Sequence, residues 1–239
     1  MTDAILIVMA KGCSTRVKNK NIVHVGGRPL LHYVFDHVRE MTLPVDAVVM
    51  TECPLVAAEC QEFRVCSEVT TGDPPVCRRV HWAVEELERE RGRPYKWALL
   101  VNADTPVRPA ELFDEALTLA RETGADVVQS VMETPVHFHP YRNYIVRHTG
   151  DVVPLMTGVD LEAMSQDYPT FVSITGGILV LKRSALAVAG FIGTRHPSLH
   201  VRAVRCDVND VVEIDTPEDL EAFRQRIEDG DVAGLSRSV

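Results

Sequence analysis

The sequence predicts an α/β fold, doubly wound around a mostly parallel sheet. Short apolar, β-branched runs alternate along the chain with amphipathic stretches of helical period, the pattern of strands covered on both faces by helices. Small and charged residues gather at the C-terminal ends of those runs, where open α/β sheets bind ligands. A hydrophobic content of 46% and a charged content of 25% over 239 residues suffice for one domain, residues 1–239, with a sizeable core. The net charge of -9 argues against a general nucleic-acid or membrane-surface binder. The N-terminus lacks a charged-then-apolar leader pattern, and no apolar run approaches the roughly 18 residues of a membrane span. The six cysteines, at 13, 53, 60, 66, 77 and 206, form no C-x-x-C pair. They read as free thiols in a reducing compartment, and the expected location is the cytoplasm.

The first strand is Ile5 to Ala10, and it breaks off in Lys11-Gly12-Cys13-Ser14-Thr15-Arg16. Lys18, Lys20 and Asn21 follow, and Gly26-Gly27-Arg28-Pro29 then turns the chain into an amphipathic helix, Leu30 to Met41. Further strands are expected at Ala47–Thr51, Phe63–Cys66, Trp97–Asn102, Val127–Met132, Gly176–Leu181 and Val211–Ile214. Helices are expected at Pro54–Gln61, Val76–Arg91, from Pro109 through Ala120, and at Ser184–Ala189. A last helix starts at Thr216-Pro217-Glu218-Asp219, a threonine cap with proline at the first helical position and an acid closing the box. The segment 133–170, rich in proline, histidine and aromatic residues, reads as an irregular insert.

The loop after the first strand has the chemistry of a polyanion site. Gly12, Cys13 and Ser14 are small enough for backbone N–H groups to approach phosphate oxygens, and Lys11, Arg16 and Lys20 supply positive charge. On charge alone, a solvated basic loop is an equal reading. No G-x-x-x-x-G-K-[ST] and no G-x-G-x-x-G follows the strand, so neither familiar phosphate motif applies. Asp104 and Asp215 each fall just past a predicted strand, on the edge shared with that loop. Two carboxylates from two strands would suit Mg2+ beside a triphosphate, while each alone also reads as a turn or helix cap. The histidines show no metal-ligand spacing, and no Ser-His-Asp or Cys-His arrangement stands out.

Ala10, Gly12, Ser14, Arg16, Lys20, Asn21, Gly26, Pro29 and Leu30 match a pattern A-R-G-G-S-K-R-x-x-x-K-N followed by G-[GK]-x-P-L. In this the chain resembles the acylneuraminate cytidylyltransferase (CMP-sialic acid synthetase) family, of nucleotide-diphospho-sugar transferase fold. Lys11, Cys13 and Thr15 stand where that pattern has arginine, glycine and lysine. Val101 to Arg108, VNADTPVR, resembles both its L-Q-P-T-S-P-L-R motif and the Q-G-D-E-P motif of the related 3-deoxy-manno-octulosonate cytidylyltransferases. Glu213 to Leu220, EIDTPEDL, is similar to D-I-D-T-x-x-D-L. Weaker matches at Arg64–Glu68, His139–Arg142 and Thr175–Gly177 fall in the right order.

The resemblance implies an enzyme coupling CTP to a nonulosonate-type sugar acid, with pyrophosphate released and Mg2+ required. It implies Lys11, Arg16, Lys20 and Asp215 as catalytic and Asp104, Asp215 and Glu213 as metal ligands. The nucleotide falls to Ala10, Lys11, Gly12, Cys13, Ser14, Arg16, Lys20, Asn21, Arg78 and Asn102, and the sugar to Arg108, Arg142 and Thr175. It also implies a homodimer formed through a small lobe at 133–170. The alternatives are transfer to 3-deoxy-manno-octulosonate or a phosphonate, or a catalytically impaired nucleotide binder.

Overall fold

The computed structural model describes residues 2–12, 14–67, 76–109, 111–160, 163–186, 197–207 and 209–230. In chain order the strands are β1 (Ala4–Met9), β2 (His24–Val25), β3 (Arg28–Pro29), β4 (Asp46–Met50), β5 (Arg64–Cys66), β6 (Trp97–Asn102) and β7 (Val127–Glu133), then β8 (Tyr144–Val146), β9 (Val152–Pro154), β10 (Val172–Lys182) and β11 (Val201–Arg205). The helices are α1 (Leu30–Glu40), α2 (Pro54–Ala58), α3 (Val76–Arg91), α4 (Leu112–Thr123) and α5 (Pro217–Glu228).

Seven strands form one sheet in the order β11-β7-β10-β6-β1-β4-β5. All neighbouring pairs are parallel except those of β10, which runs antiparallel to β6 and β7. The expected mostly parallel α/β sheet is therefore present. Strand alternation explains why β1 is apolar at every position. Ala4, Leu6 and Val8 face α1 and α4 in one core layer, with Val34, Phe35, Phe113 and Ala116. Ile5 and Ile7 face α3 in the other, with Val80, Val84 and Leu87. A third cluster packs Leu220 and Phe223 of α5 on Tyr33, Leu30 and Val25, so the C-terminal helix closes over the first helix and the small β2–β3 ribbon. No helix among the described residues is long and apolar enough to cross a membrane.

Four expectations need correction. Val211–Ile214 forms no strand of the sheet; it makes an isolated antiparallel bridge, Val212 to Val107. The sheet's edge is instead β11, where Arg202 and Arg205 flank Ala203 and Val204 in a strand whose Val204 alone is buried, a weak apolar signal. The helix after β6 begins at Leu112, with Glu111 before it, and not at Pro109. The helix expected at Ser184–Ala189 is a short 3-10 turn at Arg183–Ala185, its remainder falling outside the described residues. The 133–170 segment also carries more order than expected. It holds the β8–β9 hairpin, and its base is stapled by His139, whose ring packs 4.6–4.9 Å from Tyr141, Tyr168 and Phe171 and contacts the Pro169 carbonyl through Nε2 at 3.0 Å.

His37 of α1 is 1% exposed and its Nε2 lies 3.2 Å from the Pro106 carbonyl. Burial, and then the neighbouring Arg108 guanidinium, push its pKa down to about 4. The unfolded chain therefore binds the proton first as pH falls. The stability that the neutral ring contributes is complete above about pH 6.5 and is lost towards pH 4. Between pH 7 and 4.5, urea unfolding should show the stability advantage of wild type over His37→Gln shrinking by roughly 2–3 kcal/mol. Parallel pH profiles for the two proteins would refute this role.

Candidate active site

The parallel register places the ends of three strands side by side: Met9 pairs with Met50 on one side and with Asn102 on the other. The loops that follow these ends line a cleft of about 310 Å³. Of the residues expected at a nucleotide site, Ala10, Lys11, Ser14, Arg16, Lys20, Asn21, Asn102, Asp104 and Asp215 all line it. Cys13 and Glu68 lie outside the described residues.

Lys20 is the centre of this arrangement. It is 9% exposed, and its Nζ lies 2.7 Å from Oδ2 of Asp104 and 3.1 Å from Oδ1 of Asp215. Burial works against its charge, but the two carboxylates outweigh it and hold the ammonium above its ordinary pKa. Arg16, largely exposed, reaches the same Asp215 oxygen at 3.4 Å. Behind the loop, the Nδ2 amide of buried Asn21 donates to the Lys11 carbonyl at 2.7 Å, which fixes where the basic loop leaves β1.

Backbone pairing brings the two aspartates together from positions more than a hundred residues apart. The Val212 N–H donates to the Val107 carbonyl and the Ile214 N–H to the Asp104 carbonyl. Asp215 is thereby delivered beside Asp104 before α5 begins. Its carboxylate does not cap that helix. Thr216 accepts from the Asp219 N–H, and Asp219 Oδ2 accepts from the N–H groups of Asp215 and Thr216. The capping box leaves the Asp215 side chain for the cleft.

Glu213 is exposed, interacts electrostatically with the two aspartates and does not line the cleft. Burial, then Asp104 and Asp215, raise its pKa, opposed by Lys20 and Arg108. Among the described residues no three His, Cys, Asp or Glu side chains converge as a metal-holding group, and of the three expected ligands Asp104 and Asp215 line the cleft. That pair still fits a hard divalent cation. Asp104 Oδ1 is buried with no hydrogen-bond partner, and Mg2+ is commonly held by one or two carboxylates plus the oxygens of its phosphate ligand.

The sugar-site expectations fare differently. Arg108 is no surface ligand: at 1% exposure it donates from Nε to the Gly177 carbonyl and from Nη2 to the Asn102 carbonyl, at 2.9 and 3.1 Å. It ties the end of β6 to an irregular stretch of β10. Gly177 is needed there because a Cβ would lie 2.9 Å from Leu112 and 3.0 Å from Ser130 Oγ. Thr175 donates to Ser130 Oγ at 2.8 Å in the same stretch and is half-buried beside the cleft, not lining it. Arg142 is exposed at the base of the lobe. On α3 the exposed residue is Arg78, and the arginine lining the cleft is the next one, Arg79. The helical phase of Val80, Ala83, Val84 and Leu87 orients that face, but adjacent arginines on a helix end were not separable by pattern.

Residues 6–165 match the MobA-like NTP transferase domain, and the chain belongs to that family. It is 30% identical over 121 residues to a 3-deoxy-manno-octulosonate cytidylyltransferase of Polynucleobacter asymbioticus, a match covering 49% of this chain and 46% of that one. The match thus spans about half the length of this curated relative. The fold resembles CMP:2-keto-3-deoxy-manno-octonic acid synthetase complexed with CTP, with a TM-score of 0.72, 14% identity, and 95% and 99% of the two chains covered. It also resembles 4-diphosphocytidyl-2C-methyl-D-erythritol synthase from Anaerococcus prevotii, with a TM-score of 0.63, 12% identity, and 95% and 99% covered. At such identities the likeness is one of fold.

Replacing Arg108 by Met deprives two interior carbonyls of a charged donor. Urea unfolding of Arg108→Met is expected to show a loss of roughly 2–4 kcal/mol. A variant of native stability whose only defect is a raised KM for the acceptor would restore Arg108 to a sugar-binding role.

Proposed function

We propose that this protein transfers a cytidylyl group from CTP to a 2-keto-3-deoxy sugar acid, releasing pyrophosphate. The observation that carries this reading is the buried Lys20 ammonium bridging Asp104 and Asp215 beside a basic loop at the sheet's C-terminal edge. Such a centre combines positive charge for a triphosphate with oxygen donors for a divalent cation. Lys11, Ser14 and Arg16 line the mouth of the cleft and would hold the β- and γ-phosphates. Lys20 would meet the phosphate nearest the aspartates, while Arg79 and Asn102, which also line the cleft, would contact the nucleoside.

Asp104 and Asp215 would hold Mg2+, which supplies charge neutralisation on the phosphates and activates the phosphorus under attack. The chain's own part is positioning. The acceptor's anomeric hydroxyl oxygen forms the new bond to the α-phosphorus as the bond to the leaving pyrophosphate breaks and its proton passes to solvent, and fixed charges around the cleft stabilise that exchange without reorganising. The octulosonate class ranks first among acceptors because the sequence relative described above acts, by its name, on 3-deoxy-manno-octulosonate; a nonulosonate carries the same 2-keto acid grouping.

Residues 133–170 are proposed as a dimerisation lobe. Tyr144, Ile145 and Val146 of β8 and Val152 of β9 are 48–69% exposed, an apolar surface of the kind that a second copy covers. Light scattering of the purified chain should give twice the 26.6 kDa mass, and a monomer at micromolar concentration would reject the dimer.

Pyrophosphate release should require CTP, Mg2+ and one acid from a panel of 3-deoxy-manno-octulosonate, N-acetylneuraminate, legionaminate, pseudaminate and 2-aminoethylphosphonate. Asp104→Asn and Asp215→Asn should each lower turnover by roughly 10²-fold or more while remaining folded by circular dichroism, with a melting temperature below that of wild type because Lys20 loses a partner. Release by neither wild type nor variants, with CTP still bound, would favour a nucleotide-binding protein without turnover.

A further inference from the structure

Glu52 follows β4 directly after Thr51, in a stretch that no motif singles out. Its Oε1 accepts the Gly12 N–H at 2.8 Å, and its Oε2 accepts from Nη2 of Arg79 at 3.3 Å. One carboxylate therefore joins the basic loop after β1 to helix α3, two walls of the cleft. We propose that Glu52 is a positioning residue for the nucleotide: it locks the start of the phosphate loop and aims Arg79 into the cleft, without touching the nucleotide itself. This rests on the nucleotide-binding reading above and adds to it a determinant of affinity.

Three observations support the assignment. The loop is seated on the segment that carries Glu52, because a Cβ on Gly12 would lie 2.2 Å from Cβ and 2.9 Å from Sγ of Cys53. Packing at Cys53 and the hydrogen bond at Glu52 thus hold the same peptide from two sides, and the Gly12 amide, expected from sequence to cradle phosphate, is already engaged. Next, the Arg79 side chain is 11% exposed and lines the cleft. An arginine has much rotamer freedom to lose on binding a ligand; one fixed beforehand by a carboxylate loses less when the ligand arrives. Lastly, Glu52 does not line the cleft. Its negative charge is directed to Gly12 and Arg79 rather than to an incoming triphosphate, where it would repel.

The test is calorimetric titration of CTP, with steady-state kinetics, on the full chain as wild type, Glu52→Ala, Glu52→Gln, Arg79→Ala and the Glu52→Ala/Arg79→Ala double variant. Glu52→Ala is expected to raise Kd and KM for CTP roughly tenfold with kcat changed less than about threefold. Glu52→Gln keeps an acceptor for the Gly12 N–H but loses the charge facing Arg79, and should fall between. The double variant should be weaker than wild type by clearly less than the product of the single effects, because both changes act through one guanidinium. Thermal melts separate these effects from misfolding, and Glu52→Gln keeps the test open if the alanine variant does not fold. Wild-type CTP affinity in Glu52→Ala and Glu52→Gln overturns the proposal, as does tighter affinity, which would make Glu52 a competitor for the loop. If wild type binds no CTP, the nucleotide reading fails and this inference fails with it, an outcome distinct from normal binding that the Glu52 variants leave unchanged.

Discussion

A buried ammonium between two carboxylates is the constraint on which the site depends. Lys20, Asp104 and Asp215 come from three separate segments, and each would be costly to bury alone. Together they are mutually compensated, and the buried Arg108 and the exposed Glu213 are further opposite charges that interact with them. Removing one charge from such a group leaves its partner buried and unpaired, which costs more than the pair contributes. The requirement fixes the geometry: the loop after β1, the turn after β6 and the entry to α5 must all meet at one point.

The fold meets that requirement with backbone alone. In-register parallel pairing of β1, β4 and β6 aligns their C-terminal ends, and the bridge from Val212 to Val107 adds a fourth segment to the edge. Arg108 then works from inside, holding the Asn102 carbonyl and the Gly177 carbonyl together, so the turn that carries Asp104 is anchored to the neighbouring strand. The charged surface of the cleft rests on this buried scaffold of hydrogen bonds. A site built on strand ends is more tightly specified than one built on free loops.

The match to the MobA-like NTP transferase domain spans residues 6–165, which hold most of the sheet's strands, the basic loop and the aspartate after β6. On the proposed function, the acceptor side falls to other parts of the chain. Thr175, Arg142 and the 133–170 lobe lie at or beyond the margin of the cleft, where side chains answer to a ligand's shape more than to the core. Under the proposed function, acceptor choice can therefore vary on an unchanged frame of sheet and loop.

Much was legible in the sequence because it depends on local pattern. The doubly apolar run of β1, the phase of α3, the Thr216 capping box and the small, basic composition of residues 11–16 each follow from spacing and residue chemistry within a few positions. So did the place of Asp104 at the end of a parallel strand, whereas Asp215 reaches the same edge through a lone bridge and not through the sheet strand expected before it. What the tertiary structure decided is which side chains face the cleft and which support it from behind. Arg108 and Arg79 are both arginines near a strand or helix end, but long-range packing buries the first on backbone carbonyls and turns the second to the cleft. Val211–Ile214 has the composition of a strand but only one bridge, and β11, with two arginines among its five residues, takes the edge. Glu52 carried no signal at all, because its partners, Gly12 and Arg79, are 40 and 27 residues away. Periodicity and composition report what a residue does for its own element; contacts between elements are decided only when the sheet closes and brings them within hydrogen-bonding distance.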